Sequence, residues 1–130
     1  MGYQVLLPDE VEWEERPASE VSDLRFAVDV TTAGALEQSR ARLWKLPGRS
    51  RGRRHAEGVQ EEVFVVLAGT LTLLLGEPPE RVRVPAGGIV TVAPGTAIQQ
   101  RNEDDEECIV FAYGAPPVAG QGQYLEDVPL

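Results

Sequence analysis

The stretch His55-Ala56-Glu57-Gly58-Val59-Gln60-Glu61-Glu62-Val63-Phe64-Val65-Val66-Leu67-Ala68-Gly69 decides how this chain is read. It divides into two extended runs, Arg53–Glu57 and Glu62–Leu67, the second apolar after its first residue. Alternate side chains of an extended chain share a face, so His55 and Glu57 point the same way. The glycine turn at Gly58–Glu61 then brings Glu62 in on the next strand. One imidazole and two carboxylates converge on strands otherwise built from Val, Phe and Leu. The residues alone leave two readings open, a half-exposed hairpin end and a functional site.

Outward from this hairpin the punctuation remains that of an all-β protein. Thirteen glycines and ten prolines cut the chain into short runs rich in Val, Leu, Thr and Phe. Strands are expected at Tyr3–Leu7, Val11–Glu15, Leu24–Val30, Ser39–Leu46, Arg53–Glu57 and Glu62–Leu67. Five more are expected at Thr70–Leu75, Arg81–Val84, Ile89–Val92, Ala97–Arg101 and Cys108–Tyr113. A short helix is expected at Ser19–Leu24, with Ser19 as its N-cap. Regularly spaced short strands imply a sandwich or a barrel. The run Arg40-Ala41-Arg42-Leu43-Trp44-Lys45 alternates like a strand with one polar face. Trp44, Phe64 and Phe111 read as core.

At 130 residues the chain is expected to form one domain. Its motif-bearing core spans about 39–113, after N-terminal strands within 1–38. A tail at 114–130, rich in Gly, Pro and Gln, is expected to lie over the body or a partner subunit. A net charge of −9, from 12 basic and 21 acidic residues, argues against nucleic acid or an anionic membrane as partner. Seven of the basic residues lie between Arg40 and Arg54 with no acid among them. That run is read as a solvated basic edge pairing with the protein's own acids, or as a patch that meets a small anion. The single cysteine, Cys108, excludes an intramolecular disulfide and a cysteine-based zinc cluster, and reads as a buried apolar filler. Charges at Asp9, Glu10, Glu12, Glu14, Glu15 and Arg16 interrupt any signal-peptide core. No apolar run approaches the roughly 18 residues a membrane span needs. The expectation is a cytoplasmic protein.

The central stretch resembles the first motif of the cupin family, G-x5-H-x-H-x(3,4)-E-x6-G. His55 matches its first histidine, and Glu62 and Gly69 match its glutamate and glycine. Downstream, the run from Gly87 to Asn102 resembles the second motif, G-x5-P-x-G-x2-H-x3-N. Gly87, Gly95 and Asn102 fall at its spacing, with Ala93 at the motif proline and Pro94 beside it. The two motifs cover roughly residues 48 to 113. The resemblance implies a cupin-type double-stranded β-helix, a small antiparallel β-barrel or jelly roll. It also implies a homodimer, with Val5–Leu7 and Trp13 as apolar anchors.

Departures from the pattern limit what transfers. The family's metal is usually held by three histidines and one glutamate. Here Glu57 replaces the second histidine and Ile98, which cannot coordinate, replaces the third. The glycine opening the first motif is displaced, with Arg49 in its place and Gly48 one residue earlier. His55, Glu57 and Glu62 remain as a three-ligand set for a hard divalent ion, Mn or Fe, with Gln100 as a possible carbonyl donor. The expected mouth is lined by His55, Glu57, Glu62, Ile98 and Gln100, with Arg42, Arg53 and Tyr113 within reach of a ligand. Three functions follow: a barrel binding a small anionic or hydroxylated molecule with little or no metal, a Mn- or Fe-dependent enzyme of dioxygenase or isomerase type, and a metal-free isomerase or epimerase with a carboxylate base and His55 as acid.

Overall fold

In the computed structural model, residues 2–117 and 122–129 are described. The strands are β1 (Glu14–Arg16), β2 (Arg25–Asp29), β3 (Arg40–Leu46), β4 (Ser50–Arg51), β5 (His55–Glu57), β6 (Glu61–Ala68), β7 (Thr70–Leu75), β8 (Glu80–Pro85), β9 (Ile89–Val92), β10 (Ile98–Asn102), β11 (Cys108–Ala115) and β12 (Gly122–Tyr124). A single helical turn, α1 (Val30–Ala33), follows β2. One sheet runs β1-β2-β3-β11-β6-β9 and the other β12-β5-β10-β7-β8, with β4 added to β10. Every pairing is antiparallel. This is the expected all-β double-stranded β-helix.

The strand alternation sorts one face of each sheet into a shared core. Leu46, Phe64, Val66, Leu71, Leu73, Ile98 and Val110 are all at most 1% exposed and form one cluster. Cys108 lies in the same cluster, and burial, with Asp104 adding to it, pushes its thiol up to about 11. It is an inert filler.

The motif residues hold the barrel's turns. Gly69 adopts φ +71°, and a Cβ there would approach Glu107 O to 2.5 Å. Asn102, 1% exposed, donates to the carbonyls of Leu46, Pro47 and Glu106 and accepts from Asp104 N. Arg49, at the displaced motif glycine, takes a left-handed φ of 58°. The backbone conformation has been kept without the residue that adopts it most easily. Gly48 is needed beside it, because a Cβ there would lie 2.2 Å from Asp105 O.

Several expectations at the ends need correction. Tyr3–Leu7 forms no strand, and Tyr3 and Val5 are 78% and 65% exposed. Pairing begins only at Glu14, so the expected strand Val11–Glu15 shortens to β1. Ser19–Leu24 is not helical: Ser19 N donates to Ser22 O and Ser19 Oγ accepts from Val21 N, which closes a tight turn instead. So short a segment cannot offset the cost of helix nucleation by itself. The helical turn forms at Val30–Ala33, where Asp29 caps it by accepting from Thr32 N at 3.1 Å.

The C-terminal segment lies over the body, although 118–121 fall outside the described residues. Strand β12 pairs with β5, and Leu125 N donates to Arg54 O. Asp127 then accepts from Gln99 Nε2 at 2.7 Å and ion-pairs with Arg51 and Arg101. These bonds hold its carboxyl below its ordinary value, outweighing the opposing effect of burial.

Candidate functional site

The barrel's open end is built by strands that change character along their inner faces. On β3 the inner series runs Leu46, Trp44, Arg42, Arg40, from core to charge. On β6 it runs Val66, Phe64, Glu62. Between them β11 tapers from Val110 through Ala112 to Gly114. Large residues close one end, and small or polar ones leave a cleft of about 570 Å³ at the other. That volume suits a small organic molecule.

His55, Glu57 and Glu62 meet inside this cleft. His55 and Glu57 are alternate residues of β5, while Glu62 comes from the facing sheet on β6. His55 Nε2 lies 3.7 Å from Glu57 Oε1 and 3.9 Å from Glu62 Oε2. These are ion-pair separations, longer than hydrogen bonds. Burial opposes charge on the imidazole, but Glu62 first, then the Arg53 carbonyl and Glu57, outweigh it and raise the His55 pKa above its ordinary 6.5.

One donor atom from each of the three residues falls within 4.8 Å of the others. Donors about 2.1 Å from a common ion stand about 3–4 Å apart, so the three side chains would have to close in slightly to hold a divalent ion. One imidazole and two carboxylates favour a hard one. Ile98 adds no donor. It is the cross-strand partner of His55, yet it is 0% exposed and belongs to the core. It was expected to line the mouth; it lies instead in the apolar packing beneath. Gln100, two residues along, does line the cleft, and its Oε1 is buried with no hydrogen-bond partner among the described residues.

Arg42, Arg53 and Tyr113, the remaining expected ligand contacts, also line the cleft. Arg53 stacks over Tyr124 at 3.8 Å from its ring centre, so the docked C-terminal segment forms part of the wall. Apart from Lys45, which stands over the Trp13 ring, the run Arg40–Arg54 thereby splits in two. Arg49, Arg51 and Arg54 pair with Asp105, Asp23 with Asp127, and Glu77, as a basic edge would. Arg40, Arg42 and Arg53 face the cleft.

Sequence reasoning missed Arg16, Arg25 and Arg40 as parts of this wall. Five arginines line the cleft against two glutamates. The signal for β3 was present: the arginines share their alternation with Trp44 and Leu46, so the polar face is the inner one. Arg16 and Arg25 carried no such cue. They reach the cleft through the pairing of β1 with β2 and of β2 with β3.

The fold places the chain among known structures. It is similar to a protein with a double-stranded β-helix domain from Klebsiella pneumoniae, at 19% identity and TM-score 0.71, covering 95% of this chain and 97% of that one. It is also similar to a cupin-superfamily sugar phosphate isomerase from Silicibacter pomeroyi, at 20% identity and TM-score 0.72, covering 85% and 74%. A polyketide cyclase from Streptomyces resistomycificus matches at 14% identity and TM-score 0.78, covering 97% and 87%. By sequence, neither a protein-family model nor a curated protein matches the chain. The protein has the cupin fold, in its small double-stranded β-helix form. Among the described residues no helix is long and apolar enough to cross a membrane.

Proposed function

We propose that the cleft binds a small organic anion, with its acidic group toward the arginines and its hydroxyl groups toward His55, Glu57 and Glu62. The carrying observation is the arginine wall. Arg40 and Arg42 have no acidic group within ion-pair distance among the described residues, although they line an internal cleft. Guanidinium groups recognise carboxylate and phosphate by paired, charge-assisted hydrogen bonds. Fold neighbours named for an isomerase and a cyclase show that this fold does not by itself choose a substrate. A thermal-shift screen of carboxylates, phosphates and neutral polyols tests the reading. Saturating anion at 100 times Kd stabilises by about 2.7 kcal/mol. Stabilisation by polyols and by no anion would sink it.

A second reading is favoured by the convergence of His55, Glu57 and Glu62. These residues would hold a divalent ion, Mn or Fe, which would supply Lewis-acid polarisation of a ligand oxygen. Elemental analysis of protein purified without chelator tests this. Metal near one equivalent, lost in Glu62→Ala, supports it; protein that stays empty in excess Mn and Fe removes it.

Self-association is a separate proposal. Leu43, Phe111, Val65 and Ile89 form one row across four strands on the other face of the first sheet, ending at Ile89, 64% exposed. Val5, Leu6 and Leu7 add exposed apolar surface, and a second copy would cover both. Light scattering after size exclusion decides between dimer and monomer.

A further inference from the structure

We propose that Arg16, Arg25 and Arg42 form a phosphate-binding subsite, set apart from the His55–Glu57–Glu62 centre, so that the ligand is a phosphomonoester whose other end reaches that centre. The inference rests on the anion-binding reading above and names its substrate class.

The three arginines lie on neighbouring strands of one sheet. Arg16 and Arg25 are direct cross-strand partners, an arrangement that like charges oppose. Arg25 and Arg42 both stand over the Trp44 ring, at 4.9 and 5.3 Å from its centre. The indole holds the two guanidiniums by cation–π attraction without neutralising them.

The acids nearest the cluster are engaged elsewhere. Asp29, the cross-strand partner of Arg42, turns both carboxylate oxygens to Thr32. Asp23 binds Arg51 through both its backbone N–H and its guanidinium, and offers Arg25 only its backbone carbonyl. Glu14 reaches Arg16 no closer than 4.0 Å, and both side chains are solvent-exposed to a third or more. Arg16 Nε is buried without any hydrogen-bond partner among the described residues. Burial and then Arg16 lower the pKa of both Arg25 and Arg42, which agrees with cations that press on one another.

A dianion answers this arrangement better than a carboxylate. Phosphomonoesters carry nearly two negative charges and three terminal oxygens, each able to accept from a guanidinium fork. Position sets the ligand's length. Strands β3 and β6 are separated by β11, and Arg42 aligns with Phe64, two residues from Glu62, which puts Arg42 about 12 Å from Glu62 across the sheet. A phosphorylated polyol or hydroxy acid of a few carbons spans that gap.

The test is isothermal titration with glycerol 3-phosphate, inorganic phosphate and malonate. The proteins are wild type, Arg25→Gln, Arg42→Gln and Arg16→Gln, with Arg49→Gln as an exposed control of equal charge change. Glycerol 3-phosphate is expected to bind wild type and Arg49→Gln alike and to lose at least tenfold in the three cleft variants. Without ligand, the melting temperatures of Arg25→Gln and Arg42→Gln are expected to equal or exceed wild type, because mutual repulsion is relieved. Lower melting temperatures in both would make the cluster structural and overturn the assignment. Phosphate affinity indifferent to all three substitutions would overturn it too. Binding of malonate alone, dependent on Arg42, would overturn the phosphate subsite and leave the anion-binding reading standing. Binding of none of the three would remove both.

Discussion

Ile98 stands directly across the sheet from His55 as its cross-strand partner, and it is wholly buried. The pairing puts an apolar side chain where the resemblance to cupins places a metal-binding histidine. The consequence is a centre with three donors and a dry flank. Ile98→His restores a fourth donor beside His55. Zinc or manganese affinity is expected to rise at least tenfold by titration calorimetry. Removing a core isoleucine is expected to cost about 2–4 kcal/mol in urea denaturation. Unchanged affinity would show that His55, Glu57 and Glu62 are not disposed around an ion.

The cleft exists because β11 presents Ala112 and Gly114 where its core end presents Val110. Ala112→Phe fills that space from the middle of the inner face. The variant is expected to fold with a melting temperature near that of wild type and to lose anion-induced stabilisation. Retained stabilisation would place the ligand outside the cleft.

Asn102 ties three carbonyls and one N–H with a single buried amide. Asn102→Ala leaves those groups unpaired, and a loss of about 2–4 kcal/mol is expected by chemical denaturation. Gly48→Ala, pushed against Asp105 O, is expected to destabilise comparably, whereas Arg49→Gly relieves a left-handed φ and is expected to be neutral or mildly stabilising.

The fold and the His55–Glu57–Glu62 centre were legible because both depend on local rules. Period-two alternation fixes which residues share a face, and glycine spacing fixes the turns. Gly69 and Asn102 were marked by the resemblance to the cupin motifs, and the structure supplies the backbone requirement that each answers. The arginine wall was only half legible. Arg42 could be assigned from alternation, but Arg16 and Arg25 are carried to the cleft by long-range strand pairing, which no local pattern encodes. Ile98 was misplaced for a related reason. Its spacing marked a position, while its burial was decided by the leucines of β7, Leu73 and Leu75, on the same sheet face.

The protein has one histidine, so a single ring resonance reports the centre by NMR. In chelator-treated protein its midpoint is expected above the ordinary 6.5. Glu62→Gln is expected to lower it, leaving burial to dominate. A raised pKa means that charged His55 contributes stability fully below about pH 6.5, and that this is lost as pH rises through the folded-state value. The stability gap between wild type and Glu62→Gln should therefore narrow toward alkaline pH. A midpoint below 6.5 in the wild type would contradict the ion-pair geometry.

At the acid end Asp127 behaves oppositely. Its carboxyl is held below the ordinary value of 3.8, so its contribution is present above that pH and lost as pH falls through the folded-state value. Hydrogen exchange at neutral pH is expected to show faster exchange at Leu125 N in Asp127→Asn than in wild type. Equal exchange would mean that the segment docks without this carboxylate.

The central claim is that the arginine wall of the cleft makes this barrel a receptor for small anions. The most direct measurement is the dissociation constant of the best-stabilising anion for wild type and Arg42→Gln, at two salt concentrations. The account predicts at least tenfold weaker binding in the variant and a shallower dependence on salt, with the fold unchanged by circular dichroism. Equal affinities and equal salt dependence in the two proteins would contradict it.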